Sequence, residues 1–63
     1  MLEHRTVLRD GSAGEWNQFH PALVAENPKL TAIQIVLRTA PLTTSLQVKY
    51  VDDSATEYRL DLA

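Results

Sequence analysis

The sequence predicts an α+β domain, in which one amphipathic helix packs on one face of a three- to four-stranded sheet ending in an antiparallel hairpin. Three observations carry this. The last third of the chain alternates apolar and polar residues, Trp16 to Val24 follows a helical period, and turn residues separate the two patterns. The expected order is strand, helix, strand, strand, strand, in a single domain spanning residues 1–63.

Residues 4–9 read as a first strand, with a facing left ambiguous by the adjacent Val7 and Leu8. Asp10-Gly11-Ser12-Ala13-Gly14 reads as a turn. Ser12, with Glu15 three residues on, forms a capping-box pattern that places a helix start at Ser12. Trp16, Phe19, His20, Leu23 and Val24 then form an apolar stripe. Pro21 either kinks this helix or opens a second one. Asn27-Pro28 is expected to stop it.

Leu30 to Thr39 reads as a strand, with Ile33, Ile35 and Leu37 on one face and Gln34, Val36 and Arg38 on the other. Ala40-Pro41 ends it. In the final hairpin, Leu46, Val48 and Tyr50 face the same side as Tyr58, Leu60 and Leu62. Gln47, Lys49 and Val51 oppose them, as do Glu57, Arg59 and Asp61, with Asp52-Asp53-Ser54 as the turn. The sheet is thus expected to have one dry and one wet face. Leu60→Asp is expected to unfold the chain or prevent assembly, and Arg59→Asp to leave folding nearly intact while weakening partner docking.

A chain of 63 residues buries only roughly 60% of its unfolded surface and is marginal in stability. Small scaffolds add disulfides, a metal or a partner. The chain has no cysteine, which excludes disulfides, thiolate metal sites and thiol redox chemistry, and only His4 and His20 supply imidazoles. Elimination leaves other protein subunits or self-association as the remaining source of stability. The net charge is −2, with Lys and Arg scattered among acids, which disfavours nucleic acid. No apolar run approaches the ~20 residues of a membrane span, and the N-terminal residues do not form a secretory signal. No membrane insertion is expected, and an intracellular or organellar interior fits best.

No residue set makes a catalytic, cofactor or metal site. Gly11-Ser12-Ala13-Gly14 lacks a P-loop lysine and is flanked by Asp10 and Glu15, so a structural turn is favoured over a phosphate cradle. Ser12 lacks the glycine frame of a nucleophile elbow. His20 on the stripe reads as a core-edge residue, and His4 as solvent-exposed near a frayed terminus. Asp52-Asp53-Ser54 lacks the spaced oxygens of a calcium loop. Lys49, Glu57, Arg59 and Asp61 are expected to pair across strands on the wet face. Trp16 is favoured as core, with an interface role as the alternative. The candidate interaction residues are therefore Trp16, with Arg38, Lys49 and Arg59 on the wet sheet face.

The turn Ser12-Ala13-Gly14, the run from Pro21 through Asn27-Pro28-Lys29-Leu30, and the strand Leu46-Gln47-Val48-Lys49-Tyr50 carry a resemblance. They are similar to the thioredoxin-like family shared by some mitochondrial ribosomal proteins and a small matrix-arm accessory subunit of respiratory complex I. The resemblance covers most of the chain through short motifs, and takes Tyr58-Arg59-Leu60-Asp61-Leu62 as the fourth strand. It implies a non-catalytic structural subunit held by protein contacts inside a large assembly, in the mitochondrial matrix. The helix here is shorter than the family's and carries Pro21, the C-terminal helix has no counterpart within the sequence, and no redox role transfers without cysteines. From Trp16 to Leu62 the chain also resembles the Alu-domain subunits of the signal recognition particle, which are more basic. That resemblance implies RNA binding across the sheet and ranks second. A homo-oligomeric enzyme with a site at His20 or Ser12 ranks last.

Overall fold

The computed structural model describes residues 1–39 and 45–61. It is an α+β fold, with one antiparallel four-stranded sheet and a helical layer in two pieces against it. The elements run β1 (Leu2–Leu8), β2 (Asn17–Gln18), α1 (Pro21–Glu26), α2 (Pro28–Thr39), β3 (Leu46–Gln47) and β4 (Ser54–Leu60). The sheet order is β2-β1-β4-β3.

The central pair is β1 with β4, in register from Leu2 opposite Leu60 to Leu8 opposite Ser54. This register places Leu2, His4, Tyr58 and Leu60 on one face and Glu3, Arg5, Glu57 and Arg59 on the other. It also settles the facing of Val7 and Leu8, since Val7 falls on the charged side. β1 begins two residues earlier than expected because the pairing runs on to the terminus, where Asp61 donates its backbone N–H to Met1 at 3.0 Å. Leu2 is consequently the most deeply buried side chain among the described residues, 1% exposed. His4 is half-buried rather than exposed, its ring stacked on Phe19 with centroids 4.2 Å apart.

After β1 the chain doubles back. Gly11 takes a φ of 93°, where a Cβ would be strained. The Asp10 carboxylate accepts from the Ser12 N–H at 2.8 Å and from its hydroxyl at 2.6 Å. These bonds, first that to the hydroxyl, hold the Asp10 pKa below the usual carboxylate range. Ser12 thus serves an Asx turn and not the helix cap expected of it. Gly14 donates to Thr6 at 2.9 Å, and Asn17–Gln18 pairs with Glu3–His4 as an edge strand.

The helix starts at Pro21, in keeping with the alternative in which that proline opens a helix. His20 is its N-cap, its Nδ1 accepting from Ala22 at 3.1 Å, and Pro21 sits in the first turn where its missing N–H costs nothing. Asn27 ends α1 and starts α2. Its Oδ1 accepts from Lys29 at 3.0 Å and Leu30 at 3.3 Å, and Pro28 opens the new helix. Leu30–Thr39 is therefore helix, not the strand its β-branched residues suggest. Leu30, Ile33 and Leu37 share one helical face as well as they fit a strand alternation, and burial against the sheet selects the helix.

The core is Leu2, Val24, Leu30 and Leu37, with Phe19, Ile33, Leu46, Tyr58 and Leu60 against it. The closing hairpin is present, with Leu46 opposite Tyr58 and Gln47 opposite Glu57, but its first arm is much shorter than the expected alternating run through Val51. Val48 is exposed, and Tyr50 turns back to stack on Arg9, whose Cζ lies 4.8 Å from the ring. Asp52 takes the positive φ of 58° in the turn. The expected break at Ala40-Pro41 and the inward position of Leu62 lie outside the described residues.

Candidate functional site

The two faces of this layer offer different surfaces. On the sheet's outer face, cross-strand pairing sets Glu3 opposite Arg59 and Arg5 opposite Glu57. Each pair closes as a salt bridge, Arg59 Nε to Glu3 Oε1 at 2.7 Å and Arg5 Nε to Glu57 Oε1 at 2.6 Å. The polarity alternates between adjacent rows, so same-face neighbours along each strand, Glu3 with Arg5 and Glu57 with Arg59, are of opposite charge, while the diagonal neighbours are like-charged.

Trp16 lies over both guanidinium groups. Its ring centroid is 4.5 Å from Arg5 Cζ and 4.2 Å from Arg59 Cζ. This reverses the expectation that Trp16 belongs to the helical stripe and the core. The hairpin turn at Asp10–Gly14 leads the chain back along β1, and Trp16, just ahead of the β2 pairing, falls on the charged face. The ring contacts two cations that are each already paired with a carboxylate, so the wet face is partly covered and these charges are neutralised internally. The Glu3 side chain is only 8% exposed, against 39% for Arg59.

The expected cationic array is not assembled. Of Arg38, Lys49 and Arg59, only Arg59 is in β4. Arg38 is in the last turn of α2, on the opposite layer. Lys49 is exposed in the segment beyond β3. Trp16 and Arg59 do come together, with Arg5 as a third member that sequence reasoning missed. Glu57 and Arg59 pair with Arg5 and Glu3 of β1 and not with Lys49, because β4 is a central strand.

The helical layer presents the second surface. Inward, a cleft of about 270 Å³ lies between the sheet's terminal edge and the helices, lined by Leu2, Phe19, Val24, Gln34 and Arg38. It brings no acid and base together. Outward, Ala32, Ile35, Val36 and Thr39 follow one another at helical spacing, with Ile35 55% and Val36 46% exposed. Sequence reasoning missed this stripe because it read the segment as a strand, which placed Ile35 inward.

No protein-family model matches the chain, and no curated protein or solved structure was found to match it. The surfaces must therefore be judged on their chemistry. Among the described residues, no three of His, Asp and Glu group as metal ligands, and no helix is long and apolar enough to cross a membrane. What the arrangement offers is one charge-neutral, aromatic-capped sheet face and one apolar helix face.

Proposed function

We propose that this chain is a non-catalytic protein-interaction module, a structural subunit of a larger assembly. The observation that carries the reading is the outer stripe of α2. Ile35 and Val36 expose apolar surface on a regular helix whose inner face is already satisfied by the core. Adjacent exposed aliphatics on a helix are a surface that a second protein element can cover.

The thin core agrees with this. A domain of this size gains stability from association when neither disulfide nor metal supplies it. RNA binding has less support, since Arg5 and Arg59 are tied to carboxylates and Arg38 and Lys49 lie elsewhere. The mitochondrial setting rests on the sequence resemblance alone.

Sedimentation of the tagged chain from a gentle lysate tests the reading. Migration well above the size of a 7.1 kDa monomer supports it. Migration as a free monomer overturns it.

A further inference from the structure

We propose that the outer face of α2 pairs with the same face of a second copy of this chain, the two helices running antiparallel across a two-fold axis. The inference rests on the interaction-module reading and names the partner.

The first argument is self-complementarity. A two-fold contact must fit a surface to itself. The stripe reads Lys29, Ala32, Ile35 and Val36, Thr39. An axis midway along it brings Ile35 and Val36 of one copy over Ala32 of the partner subunit, and reciprocally. The small residue gives the large ones room, which is how ridges fit grooves at close helix separation.

The second argument is charge. Lys29 is in the first turn of its own helix, where the macrodipole is positive and no acidic residue accompanies it. The antiparallel pairing carries Lys29 to the carbonyl end of the partner subunit's α2, beside Thr39 of the partner subunit. A residue that is unfavourably placed in the monomer becomes favourably placed in the pair. Arg38, the other cation of α2, borders the inner cleft and leaves this stripe neutral at its C-terminal end. The helix axes also oppose their dipoles.

Sedimentation equilibrium of the purified full chain, from about 1 μM to about 1 mM, tests this. The wild type is expected to show a monomer–dimer equilibrium, and Ile35→Asp to remain monomeric with an unchanged circular dichroism spectrum. Lys29→Glu is the second variant and decides the matter even where Ile35→Asp fails to fold. It is expected to weaken dimerisation roughly tenfold at low ionic strength while raising the melting temperature of the dilute monomer, because Glu suits a helix start and Lys does not. A role confined to the monomer would not give these opposite signs. A wild type that stays monomeric overturns the two-fold pairing, as does dimerisation that Ile35→Asp or Lys29→Glu leaves unchanged. A monomeric purified chain that still sediments with a large particle from lysate would remove the pairing and leave the interaction-module reading standing.

Discussion

Glu3 and Arg59 face each other across the central strand pair, carboxylate to guanidinium at 2.7 Å, with the Arg59 guanidinium against the ring of Trp16. Glu3 is among the most buried of the described residues, and Arg59 supplies its side-chain hydrogen bond. Arg59→Asp, which the alternation pattern alone makes nearly harmless, should instead destabilise the fold. A buried carboxylate left without its hydrogen-bonded partner costs roughly 1–3 kcal/mol. Urea denaturation of Arg59→Ala and Arg59→Asp checks this, with the charge-reversed variant the worse. Pairing Arg59→Gln with Glu3→Gln should restore part of the loss.

Trp16 should behave as a surface clamp and not as a core residue. Trp16→Ala should cost about 1–2 kcal/mol, since two partly exposed guanidinium groups each lose about 0.5–1 kcal/mol. Trp16→Phe should retain most of it. A loss above about 3 kcal/mol, the scale of a core aromatic truncation, would place the ring in the core after all. Intrinsic fluorescence reports the same transition, because Trp16 is the sole tryptophan.

Asn27 should matter more than its exposure suggests. Its side chain caps α2 through two N–H groups and its backbone closes α1. Asn27→Ala should cost about 1–2 kcal/mol, and Asn27→Asp should be close to neutral. His20→Ala should cost about 1 kcal/mol through the single cap bond to Ala22. Thermal unfolding of the three variants checks the ranking.

The Asp10 turn gives a pH prediction. The folded-state pKa of Asp10 is depressed by the Ser12 hydroxyl and N–H. A depressed carboxylate pKa contributes stability that is present above the unfolded-state value and is lost as pH falls through the folded-state value. Turn stabilisation should therefore fade only in acid, below the ordinary carboxylate range. Carboxyl chemical-shift titration should place Asp10 below the ordinary aspartate value, and Ser12→Ala should move it back towards that value. An Asp10 titration unaffected by Ser12→Ala would contradict the turn geometry.

The fold class and the closing hairpin were legible because alternation in β4 is unambiguous. Tyr58 and Leu60 face the core, and Glu57 and Arg59 face away, as their spacing requires. Two elements were misread for identifiable reasons. Leu30, Ile33 and Leu37 satisfy a helical period, while Ile33, Ile35 and Leu37 satisfy a strand period. Only the sheet beneath the segment decides between them. Ser12 and Glu15 satisfy a capping pattern, but Asp10 claims the Ser12 hydroxyl first. The Trp16 clamp was not legible at all, because it needs Arg5 and Arg59, far apart in sequence, to be brought under one ring by the β1–β4 register.

The exposed stripe of α2 is the surface on which the functional account stands, and site-directed photo-crosslinking in living cells tests it most directly. A photo-crosslinking phenylalanine analogue is placed at Ile35 in one experiment and at Ser12, in the exposed turn on the strand side, in another. The account predicts discrete protein adducts from position 35 and none from position 12. Equal labelling from both positions, or no adduct from position 35 in a chain shown to be folded, would contradict it.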